Sequence, residues 1–100
     1  MTIASTILAQ LGGNRFLAMT GAKNLVTGSD FLQFDVPASM TKERANKVRV
    51  TLAGNDTYTL AAYKFSARKA YLLEVGKVSG ADADVLRQMF TRLTGLHTSL

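Results

Sequence analysis

Lys47-Val48-Arg49-Val50-Thr51-Leu52, then Gly54-Asn55-Asp56, then Thr57-Tyr58-Thr59-Leu60-Ala61-Ala62-Tyr63-Lys64-Phe65: this stretch decides the fold. Val48, Val50 and Leu52 alternate with Lys47, Arg49 and Thr51. A period of two is that of a strand with one side in a core and the other in water. Gly54-Asn55-Asp56 tolerates positive φ and predicts a hairpin turn. The run that follows is rich in aromatic and β-branched residues and predicts the partner strand. Its facing stays open, because Tyr58, Leu60 and Ala62 compete with Thr59, Ala61, Tyr63 and Phe65 for the inward positions.

Working outward, Ser66-Ala67-Arg68-Lys69 reads as the next turn and Tyr71 to Val78 as another strand. Ser79 then opens a final helix, with Ser79 and Asp82 in the form of a capping box and Asp84 adding negative charge to the first turn. Val85, Leu86, Met89, Phe90 and Leu93 make its apolar stripe, Gly95 its left-handed stop and Leu96 the closing contact. Toward the start, residues 38–46 form a polar connection with one helical turn. Phe31 to Val36 alternates, with Leu32, Phe34 and Val36 inward, and Pro37 ends it. Gly28-Ser29-Asp30 is a turn. Arg15 to Thr20 reads as a strand that bends at Gly21 and resumes at Leu25-Val26. Gly12-Gly13-Asn14 breaks the chain after a short helix marked by Ile3, Ile7, Leu8 and Leu11.

The expected architecture is α+β: an antiparallel sheet of about five strands, with N-terminal and C-terminal helices packed on one face. The other face is left to solvent or to a partner. The 100 residues, 47% apolar and 19% charged, fit one globular domain over residues 1–100. No cysteine is present, so disulfide and thiol chemistry are excluded. No apolar run approaches the ~20 residues of a membrane span, and the start lacks the basic-then-apolar form of a secretory signal. A cytoplasmic protein is the expectation.

The formal net charge of +5 is concentrated. Residues 42–69 hold Lys42, Arg44, Lys47, Arg49, Lys64, Arg68 and Lys69 against Glu43 and Asp56, so they carry all of it. Basic groups attract a phosphate backbone and aromatic rings stack on bases. Lys47, Arg49, Lys64, Arg68 and Lys69, near Tyr63, Phe65 and Tyr71, are therefore the candidate contacts to DNA or RNA. Lys23 joins them through a second motif, in which Thr20, the Gly21 amide and Lys23 would grip a phosphate in a backbone nest. The plainer alternative is a solvated strand face whose cations pair with Glu43, Asp56 or Glu74 at little energetic gain.

Other candidates carry less. His97 is the only histidine and has no clustered ligands or oriented base around it in sequence. Asp82 and Asp84, two apart, would point away from each other on a helix. Ser66-x-x-Lys69 lacks the partner motifs and the chain length of the penicillin-interacting enzymes. The glycines fit neither dinucleotide nor P-loop spacing. No enzyme, metal or cofactor is expected.

The run Gln10-Leu11-Gly12-Gly13-Asn14-Arg15-Phe16-Leu17-Ala18-Met19-Thr20-Gly21-Ala22-Lys23-Asn24 resembles the opening of a widespread group of small proteins encoded by bacteriophages, prophages and other mobile elements. The closing Phe90-Thr91-Arg92-Leu93-Thr94-Gly95-Leu96 is similar to that group's ending. The group has no established activity, so the resemblance implies a genomic context, a host-cell cytoplasm and no site residues. Its members often carry Tyr where His97 stands. Two readings follow: a nucleic-acid-binding accessory protein, or a protein-binding module that forms a homodimer or inhibits a host protein. The outward-leaning Phe31 and the spare aromatics of 57–65 motivate the second.

Overall fold

A computed structural model describes residues 3–41, 44–53, 55, 57–66, 68 and 71–96. The chain runs α1 (Ile3–Leu11), α2 (Gly13–Thr20), β1 (Lys23–Thr27), β2 (Phe31–Asp35), β3 (Lys47–Leu52), β4 (Tyr58–Ser66), β5 (Tyr71–Ala81) and α3 (Leu86–Thr94). Single 3₁₀ turns at Ala38–Met40 and Ala83–Val85 lie in the connections before β3 and α3. The five strands form an antiparallel meander in the order β1-β2-β3-β4-β5. This is the α+β architecture expected, with three helices instead of two.

Strand alternation builds the core. Leu32 and Phe34 of β2, Val48 and Val50 of β3, and Tyr58, Leu60 and Ala62 of β4 are all buried. The facing left open for β4 is thereby decided: Tyr63 and Phe65 stand on the opposite pleat. Ile7 and Leu11 of α1, Phe16 of α2, and Leu86 and Phe90 of α3 close over the inward face. Phe16, Phe34 and Phe90 meet at its centre, with ring centroids 5.3, 5.2 and 6.0 Å apart. Burying each such side chain contributes about 1.5–3 kcal/mol.

Two expectations are corrected. Residues 15–20 form not a strand but most of α2. Their apolar residues looked extended because the run is short. What makes them helical is that Phe16 and Thr20, four apart, are both buried on one side. Gly12 (φ 128) and Gly13 (φ 60) turn the chain sharply between α1 and α2. The second correction concerns the last helix. Ser79 does not open it: β5 continues to Ala81, and α3 begins only at Leu86 after the 3₁₀ turn. Neither Asp82 nor Val85 makes a side-chain capping bond. Pairing with β4 holds residues 79–81 in the sheet, as Tyr58 lies opposite Ala81.

α2 and α3 end in the same way. Thr20 Oγ1 donates to the Phe16 carbonyl (2.7 Å) and accepts from the Ala22 amide (3.2 Å). Thr94 Oγ1 donates to the Phe90 carbonyl (2.8 Å) and accepts from the Leu96 amide (3.1 Å). Each threonine is followed by a left-handed glycine, Gly21 (φ 71) or Gly95 (φ 81), whose amide returns to the carbonyl four residues back. A Phe-x-x-x-Thr-Gly pattern thus terminates both helices and places both phenylalanines in the core. Buried hydroxyls are tolerated here because each one donates and accepts.

Candidate functional site

All three described helices pack on one side of the sheet, and no described helix covers the other side. The pairing register sets its side chains out as a grid. Across one row stand Phe31, Thr51 and Thr59. Val26, Gln33, Arg49, Ala61 and Lys77 make the next. Lys23, Asp35, Lys47, Tyr63 and Glu74 make the third, and Phe65 with Leu72 the last. Among the described residues this face therefore presents four cations against two carboxylates, with aromatic rings between them.

The local chemistry lays several of these groups flat. Arg49 directs Nε and Nη2 to Gln33 Oε1 (3.0 and 2.8 Å) and holds its guanidinium over the Phe31 ring, 4.4 Å from the centroid. Phe31 in turn covers Gly28, where a Cβ would fall 2.1 Å from the ring, so no other residue fits there with Phe31 in this position. Lys47 is bonded to Asp35 Oδ1 at 2.5 Å, with its ammonium 5.2 Å from the Phe65 ring centroid. Asp35 also accepts from Asn24 Nδ2 at 2.9 Å. Burial acts to raise the Asp35 pKa. The hydrogen bonds from Lys47 and Asn24 and the charges of Lys47 and Lys23 outweigh it and leave the group below its ordinary value of 3.8.

Asn46 extends the β3–β4 ladder with its side chain. Its Nδ2 donates to the Phe65 carbonyl and its Oδ1 accepts from the Phe65 amide, both at 2.8 Å. One carboxamide thus replaces a backbone pair and fixes the strand segment that carries Phe65. Phe65 and Leu72 lie across from each other, 41% and 56% exposed. With Gln33, Lys47, Arg49 and Tyr63 they line a shallow depression. Arg49, Tyr63, Glu74 and Lys77 line a second beside it.

The structure brings together Lys47, Arg49 and Lys23 of the expected contacts and separates the others. Lys64 pairs with Leu73 on the opposite pleat, since consecutive residues of a strand alternate. Arg68 lies exposed in the turn after β4. Lys69, Lys42, Glu43, Asp56 and His97 lie outside the described residues. The phosphate nest is not formed: the Gly21 amide caps α2 and the Thr20 hydroxyl is buried in the same cap. The cations of β3 pair with Asp35 and Gln33 of β2, not with Glu74. Lys77, Gln33 and Asn46 were missed. Lys77 sits beyond the basic segment in sequence and reaches the face only because β5 pairs with β4.

The sheet edges differ from the face. β1 is irregular between Lys23 and Val26, with Asn24 at φ 55. β5 departs from register twice, once beside Gly80 (φ 77). Bulged edges are poor templates for a further strand, which leaves the broad face as the larger open surface among the described residues. No cluster of three or more His, Cys, Asp or Glu that could hold a metal occurs among the described residues, and no described helix is long and apolar enough to cross a membrane. Comparison with protein-family models, curated proteins and solved structures finds no match to this chain.

Proposed function

We propose that this protein is a non-enzymatic accessory of a bacteriophage or other mobile element that binds nucleic acid on the uncovered sheet face. One observation carries the reading: Lys23, Lys47, Arg49 and Lys77 share that face with Tyr63 and Phe65 and outnumber Asp35 and Glu74. Excess positive charge draws in phosphates, and rings interleaved with it offer stacking surfaces. The likeness of the two chain ends to mobile-element proteins supports the context. Titrating salt against binding of labelled DNA and RNA tests it. Each phosphate contact steepens the log–log slope by about 0.7 to 0.9. Absence of binding at low salt would sink the reading.

A second reading rests on a different observation. Leu72 is 56% exposed and continues the apolar surface of Phe65, itself 41% exposed. A host protein, or a second copy of the chain, would cover such a corner. Pull-down with and without nuclease separates the readings, because only a protein partner persists after digestion. A monomer by light scattering with no retained partner counts against the second.

A further inference from the structure

We infer that the ligand of the uncovered face is single-stranded nucleic acid with its bases pulled apart, not a duplex; this rests on the nucleic-acid reading above and narrows it. Tyr63 and Phe65 are two residues apart on one strand and on the same pleat. Their attachment points are therefore about 7 Å apart. Bases in a duplex follow each other every 3.4 Å along each strand. Rings at twice that spacing match bases that have left the stack and lie flat against the sheet, one on each ring. Paired bases expose only their edges in the grooves and offer no such faces.

The shape of the site argues the same way. A five-stranded sheet is about 19 Å across, wider than the ~12 Å major groove. All the described helices, the usual groove-entering elements, lie on the other side of the sheet. The cations fit a flat ligand too. Arg49 lies over the Phe31 ring and the Lys47 ammonium over the Phe65 ring, 5.2 Å from its centroid, and the guanidinium plane adds a further stacking surface. Lys23 on β1 and Lys77 on β5 are exposed at opposite sides of the grid, where a backbone crossing the strands would enter and leave. In the Tyr63 row the charges of Asp35 and Glu74 offset those of Lys23 and Lys47, so the centre of that row has no net pull on phosphates and leaves the ring to a base.

The test compares labelled oligo-dT and oligo-rU with a hairpin duplex of equal phosphate count, by fluorescence anisotropy at low salt. Base faces and phosphates are common to both sugars, so the two single-strand arms show whether either source is preferred. At least one single strand is expected to bind about tenfold or more tighter than the duplex. Tyr63→Leu and Phe65→Leu keep apolar bulk but remove the π-face. Each is expected to weaken single-strand binding about tenfold with the salt slope unchanged, while Lys77→Gln lowers the slope by about 0.7. Thermal melts of the variants establish that each is folded. A duplex bound as tightly as both single strands, or folded Leu variants that bind like wild type, overturns the inference and leaves general nucleic-acid binding in place. Absence of binding to every oligonucleotide removes the functional reading itself.

Discussion

The two faces of the sheet are made of alternating neighbours in the same strands, yet they obey different physics. The inward face joins Leu32, Phe34, Val48, Val50 and Leu60 to three helices and is sealed. The outward face, one residue away at every step, is a mosaic of charges, amides and rings that pair with one another and remain open to solvent. Stability resides on the first side, and the second is where we propose recognition. The difference teaches that the basic residues contribute little to folding here, so their concentration on one surface calls for another explanation.

The largest effect expected from breaking this comparison is in the core. Phe90→Ala removes the ring that touches both Phe16 and Phe34 and is expected to cost about 3–5 kcal/mol. Phe65→Ala, the same substitution on the open face, is expected to cost about 1 kcal/mol or less. Chemical denaturation of both variants measures the contrast, and equal losses would mean that Phe65 is covered by something in solution. Next comes Thr94→Val. It keeps shape but leaves the Leu96 amide without its buried acceptor, at about 1–3 kcal/mol in the same assay. Asn46→Ala removes two bonds to the Phe65 backbone at an exposed site. A loss of about 1 kcal/mol is expected, with faster amide exchange at Phe65.

The smallest effect sharpens the outward side. Asp35 has its pKa below the ordinary 3.8, so its stabilising contribution is present above that value and is lost as pH falls through the folded pKa. The stability difference between wild type and Asp35→Asn is therefore expected to shrink from about pH 5 downward. Denaturation across a pH series reads it directly. A difference independent of pH would mean that the Lys47 contact does not hold Asp35 ionised.

Much of the inward face was legible because strand alternation is a local property. Leu32-Phe34-Val36 and Val48-Val50 declared their side without reference to any partner. The apolar stripe of α3 and the Gly95 stop were equally plain, since helical spacing and left-handed φ leave direct marks in residue type. The errors fell where local signals competed with distant contacts. Ser79 and Asp82 fit a capping box, but pairing of Ala81 with Tyr58 keeps that segment in β5. Residues 15–20 were too short a run to show a period, and the burial of Phe16 and Thr20 decided for a helix. The basic segment was legible as charge, but Lys47 and Arg49 turn outward while Lys64 turns the other way.

By itself, the sequence determined that an antiparallel sheet would form, which residues of β2 and β3 would face a core, and that Gly95 would stop the last helix. These follow from backbone preference and from periods of two and 3.6 residues, both set over a few positions. Only the tertiary structure decided that Lys23, Lys47, Arg49 and Lys77, taken from three parts of the chain, meet Tyr63 and Phe65 on one uncovered surface. Register between strands joins residues that are distant along the chain, and it depends on every turn and bulge between them.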